Sequence, residues 1–135
     1  MHPTTYLRAE GLALFLVATA GVLYVGEPLW LYLLVLFAPD LSMVGYLAGP
    51  AVGARVYNAA HTTVGPLALG AAAYWLGATL LLAISLVWLA HLGADRALGY
   101  GLKHTDAFGH SHLGRTGKAR RGRRHRVDDP GDVVR

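Results

Sequence analysis

Four stretches of about twenty apolar residues occupy most of this 135-residue chain, and they constrain its fold more than anything else in it. They are Tyr6–Val25, Pro28–Leu47, Ala54–Leu76 and Ala78–Leu98. At 1.5 Å of rise per residue, a helix of about 20 residues crosses the hydrocarbon core of a bilayer. Gly26-Glu27, Gly49-Pro50 with Gly53, and Gly77 punctuate the runs. A soluble helical bundle would need a polar face on each helix. Leu29–Ala38 and Leu67–Leu89 have none, so the pattern predicts an all-α integral membrane bundle of four transmembrane helices. "ATA" at 18–20 resembles a signal-peptide cleavage site, but Arg8 and Glu10 precede it and the apolar run continues to Val25, so the segment reads as a span.

Charge sets the orientation. Eight of the twelve Lys and Arg follow residue 113, so an apolar body (1–115) is joined to a basic tail (116–135). Arg8, Arg55, Arg96, Lys103 and the tail all fall on one side of a four-span topology. The loops at Glu27 and Gly77 have no basic residue. The positive-inside rule then places both termini in the cytoplasm of a multi-pass protein of the inner (plasma) membrane. Tyr24, Trp30, Tyr32, Tyr74 and Trp75 mark the outer interface; Tyr6, Tyr46, Tyr57 and Tyr100 mark the inner one. The absence of cysteine excludes disulfides, thiolate metal sites and a Cys nucleophile.

The ionisable residues inside the spans gather at one depth. Asp40, His61 and His91 each lie seven residues from the cytoplasmic end of their spans, about 10 Å in. Glu10, Asn58 and Asp95 fall about one turn nearer the cytoplasm. An Asp or Arg at the centre of a span costs about 2.5–3.5 kcal/mol on insertion scales, so such groups should face one another and not lipid. His91 and Asp95 are i,i+4 and share a helix face, as do Tyr57 and His61. Pro39 should kink the second span beside Asp40, and Gly65-Pro66 the third beyond His61.

Asp40, His61, His91 and Asp95 therefore form a candidate set of two imidazoles and two carboxylates, suited to Zn, Mn or Fe(II). Asn58, Glu10, Tyr57, Arg96 and His112 are candidates to orient them. Arg96 can snorkel to the interface or pair with Glu10. A metal held there would activate water or polarise a carbonyl or phosphoryl group, as in a hydrolase. Haem between His61 and His91 is disfavoured by the carboxylates and by Tyr57. The alternative is a non-enzymatic protein whose polar layer fixes helix packing or relays protons. Gly45 and Gly49 make a small-xxx-small pair. Trp88 reads as packing. In the tail, Arg120, Arg121, Arg123, Arg124 and Arg126 form a basic cluster in a stretch expected to be disordered. It suits anionic lipid headgroups, and without interleaved aromatics it does not call for nucleic acid.

"APDLSMVGYLAGPAVGARVYNAAHT" (38–62), "WLAHLGADRALGYGLKH" (88–104) and "FGHSHLGR" (108–115) resemble a family of small bacterial integral membrane proteins, domain-of-unknown-function family 4260. The resemblance runs from Tyr6 to Arg115. It implies four spans and draws attention to Asp40, Asn58, His61, His91, Asp95, Arg96 and His112, without implying a reaction. His104 and "GHSH" differ from the family pattern, where a Tyr and a less His-rich loop are expected.

Overall fold

The computed structural model describes residues 2–106 and 108–115. The Arg120–Arg126 cluster lies outside them. The architecture is all-helical, with α1 (Pro3–Val25), α2 (Leu29–Leu36), a 3₁₀ helix (Ala38–Ala48), α3 (Pro50–His61), α4 (Val64–Trp75) and α5 (Thr79–Leu98). A two-residue antiparallel hairpin, β1 (His110–Ser111) and β2 (Gly114–Arg115), follows. Three helical segments, Pro3–Val25, Leu29–Ala48 and Thr79–Leu98, are long and apolar enough to cross a membrane.

The third apolar run behaves differently from the other three. It starts earlier than expected, at Pro50, and is divided into two twelve-residue helices, α3 and α4. Neither half alone has the ~20 residues of a crossing. The break falls at Thr62, whose ψ of 145° is extended. Pro66 explains the position: it has no N–H for the Thr62 carbonyl, and its ring crowds that carbonyl four residues back. In the second run the α-helical winding stops at Leu36 and continues as a 3₁₀ helix from Ala38. Eleven residues is long for that tighter winding, which normally persists for only about 3–4.

α5 is the central strut, packed on α1, α2, α4 and the 3₁₀ helix. Its contact with α1 is antiparallel and depends on missing side chains. A Cβ on Gly93 would lie 2.5 Å from the Phe15 nitrogen, and one on Gly11 2.6 Å from the Arg96 Cβ. Ala18, Leu89 and Ala90 are buried between them, with Leu14, Phe15 and Leu36 around the edge. α4 approaches α5 in the same way, through Gly65 against the Trp88 ring and Gly70 against Ser85, whose hydroxyl donates to the Pro66 carbonyl at 2.6 Å. Between the 3₁₀ helix and α3, Gly45 meets Val56 while Gly53 receives the Tyr46 ring. The close pair is thus Gly45 and Gly53. Gly49 instead makes the turn, at φ +109° with no neighbour near its missing Cβ.

The outward surface is apolar. Leu29, Leu34, Phe37, Leu41 and Val44 all stand exposed on α2 and the 3₁₀ helix, as do Tyr24, Trp30, Tyr74 and Trp75 at the helix ends.

Gly93→Ala tests the α1–α5 contact. The added methyl must push two backbones apart, a loss of about 1–3 kcal/mol. Thermal unfolding in detergent should show a clearly lowered midpoint, whereas Gly77→Ala, in a turn with open space around it, should lose only what its positive φ imposes.

Candidate metal centre

Three elements deliver four side chains to one point. Asp40 comes from the first turn of the 3₁₀ helix, His61 from the last residue of α3, and His91 and Asp95 from adjacent turns of α5. The Nε2 atoms of His61 and His91 are 3.1 Å apart. Asp40 Oδ1 lies 3.6 Å from each of them. Asp95 Oδ2 lies 3.6 Å from His61 Nε2 and 3.7 Å from His91 Nε2. All four atoms fall within 4.8 Å of one another. Ligands at 2.0–2.2 Å from a tetrahedral ion stand about 3.3–3.6 Å apart. The four imidazole–carboxylate separations lie at the upper end of that range, and the two nitrogens would part slightly to hold one ion.

The histidines are buried, with side chains 4% and 6% exposed, whereas Asp95 is 21% and Asp40 36% exposed. His61 Nδ1 lies 2.9 Å from the Tyr57 carbonyl. A carbonyl only accepts, so Nδ1 carries the hydrogen and a neutral His61 directs the Nε2 lone pair at the cluster. Tyr57 stacks on the His61 ring at 3.6 Å and donates its hydroxyl to Asp95 Oδ2 at 3.1 Å. One side chain therefore orients two members of the set. The carbonyl end of α3 adds the negative end of a helix dipole beside His61, which favours a cation. The helix break also frees the Ala60 carbonyl, and the Trp88 indole N–H donates to it at 2.8 Å.

Tyr57 apart, the residues singled out in the sequence to orient the four make no hydrogen bond to them among the described residues. Asn58 uses both ends of its amide on the backbone of Lys103, accepting from its N–H at 2.7 Å and donating to its carbonyl at 2.9 Å. It holds the segment after α5 and makes no hydrogen bond to the cluster. His112 is exposed, and its Nδ1 accepts the Leu102 N–H at 2.9 Å. Glu10 is exposed and shares a cavity of about 310 Å³ with Arg96 and His112. No ion pair joins Glu10 to Arg96 among the described residues; Arg8 instead donates to the Ala97 carbonyl at 2.8 Å. Arg96 is half-buried and lines a small space with Tyr57, His61 and Asp95. His110 pairs with Asp106 and its ring lies against His104, away from the site. As for haem, two Nε2 atoms 3.1 Å apart leave no gap for a macrocycle between them.

Lys103 is the residue that sequence reasoning missed. It is 6% exposed, with its ammonium 4.5 Å from the Phe108 ring centre, 5.3 Å from that of Tyr57 and 5.8 Å from that of Tyr100. Burial pushes its pKa below the usual lysine value, and the Asp95 charge opposes that in part. In sequence it is one more basic residue beyond a span, and only the fold-back pinned by Asn58 buries it.

A family model described as a domain of unknown function (DUF4260) matches residues 4–116. No curated protein and no solved structure matches the chain.

Lys103 yields a pH prediction. The unfolded chain binds a proton on this amine up to about pH 10.4, the folded protein only to a lower pH. Stability should therefore rise with pH between the lowered value and about 10.4. Unfolding midpoints across the alkaline range should show a smaller rise for Lys103→Met than for the parent.

Proposed function

The chain belongs to the DUF4260 family, and from that premise we propose that it is a multi-pass membrane protein built around one divalent metal ion, held by Asp40, His61, His91 and Asp95 and used to activate water for hydrolysis. The convergence of four ligand atoms, five of their separations lying between 3.1 and 3.7 Å, carries this reading. Two carboxylates neutralise the charge of a divalent ion, which suits an apolar surrounding. Near-tetrahedral spacing of two nitrogens and two oxygens favours zinc, with Mn or Fe(II) as the alternatives.

The ligands are not equivalent. Asp95 is fixed by Tyr57, whereas Asp40 is the most exposed and takes no hydrogen bond through its carboxylate from any described residue. Asp40 is the ligand able to swing aside and admit water, then accept its proton as general base. Three long apolar helices and an apolar outer surface support the membrane setting. The antiparallel α1–α5 contact brings the N-terminal end of α1 and the C-terminal end of α5 together, as a cytoplasmic location for both requires. Anionic lipid headgroups are the proposed partners of the basic tail.

A second reading is favoured by the same 3.1 Å contact, which is also the distance of one proton shared between two imidazoles. That arrangement would serve packing or proton relay without metal.

Elemental analysis of protein purified in mild detergent without chelator separates the two. Near-stoichiometric metal is expected, and its loss in a still-folded Asp40→Ala/His91→Ala variant. No metal in the parent would sink the metal reading and leave the shared proton. Tyr57→Phe keeps the stacking ring and removes the hydroxyl from Asp95. Its metal affinity, measured by competition with a chromogenic chelator, should fall about 10–100-fold.

A further inference from the structure

We propose that the substrate is an amphiphile whose single alkyl chain enters a crevice between α2, the 3₁₀ helix, α3 and α5, with its polar head at the Asp40–His61–His91–Asp95 cluster. The position of the head rests on the metal-centre reading above; the seating of the chain does not.

The crevice has a volume of about 280 Å³ and is walled by Val35, Pro39, Ser42, Ala60, Ile84 and Trp88. Along α5 its wall shares a helix face with the cluster, since Ile84 and Trp88 lie two turns before His91 and Asp95 respectively. Pro39 and Ala60 each precede a ligand in sequence, and Trp88 sits one turn before His91. Trp88 is a fixed wall, because its indole N–H is tied to the Ala60 carbonyl. The lining is apolar apart from Ser42, whose hydroxyl is buried and has no hydrogen-bond partner among the described residues. A buried hydroxyl without a partner is costly, and a polar group arriving with a ligand would satisfy it.

Two spaces beside the cluster differ in size and chemistry. On the side of the segment after α5, the space among Tyr57, His61, Asp95, Arg96, Gly101 and Leu102 is only about 10 Å³. That is about the volume one water molecule requires. On the crevice side the space is larger and apolar, and Leu34 on α2, Leu41 on the 3₁₀ helix and Phe37 between them stand exposed. A hydrolytic centre needs one water and one substrate, and under this proposal the two spaces take one each. An occupant arriving through an apolar outer surface must carry a hydrocarbon chain, and apolar walls ending at a few polar groups are the ordinary form of a ligand site.

Trp88 can report occupancy. Trp30 and Trp75 are both exposed, so Trp30→Phe/Trp75→Phe leaves a single indole in the crevice wall. This protein is reconstituted in phosphatidylcholine vesicles and titrated with a lysophosphatidylcholine brominated on its acyl chain. Metal content is measured on the same samples. Saturable quenching of Trp88 at a low mole fraction is expected, weakened at least tenfold by Ile84→Phe and by Ala60→Leu, which fill the crevice from two different helices. Quenching that grows in proportion to mole fraction without saturating would overturn the proposal on the parent curve alone, even if neither filled variant folds. Saturable quenching that both filled variants leave unchanged would also overturn it. Because the indole responds whether or not metal is bound, saturable quenching in metal-free protein rejects only the metal reading. Full metal with no saturation rejects only the crevice.

Discussion

Ionisable side chains placed inside apolar helices must find one another. In water, Asp40, His61, His91 and Asp95 would each be solvated independently. In an apolar bundle each is expensive alone, and mutual contact is how the cost is met. The helix break at Thr62, the change of winding at Ala38 and the close approach of α5 to its neighbours all serve to bring these four groups within 4.8 Å of one another.

Small residues make that convergence possible. The long apolar helices meet where side chains are missing, so that their backbones approach closely. Gly11 and Gly93 let α1 and α5 touch along their backbones, and Gly53 admits the Tyr46 ring. α5 is thereby held at the centre, with His91 and Asp95 turned inward. Pro66 ends α3 at His61, so that this imidazole sits at a helix terminus with its Nδ1 turned back onto the Tyr57 carbonyl. The proline acts through the backbone, the histidine through its ring, and the site needs both.

Legibility in the sequence differed sharply between residues. The four members of the cluster could be found by counting inward from the ends of the apolar runs, because helical rise converts residue number into depth. Tyr57 was accessible through its i,i+4 relation to His61. Asn58, by the same reasoning, should turn toward the cluster, yet both ends of its amide bond the Lys103 backbone. Glu10 and Arg96 share a depth and a cavity without pairing. Depth is one coordinate of three. It does not say toward which neighbour a side chain points, and periodicity within one helix cannot supply the angle between two.

The sequence by itself determined that the four apolar runs are helical and that their polar groups gather at one level, since hydropathy and periodicity are properties of single segments. It also marked where backbones would bend, because proline acts on its own preceding turn. Only the tertiary structure decided which glycines lie at contacts, that Lys103 is buried under three rings, and that an apolar crevice opens beside the carboxylates and imidazoles. Those features belong to pairs and triples of elements distant in the chain. Their physical origin is packing, which depends on distances that no single segment contains.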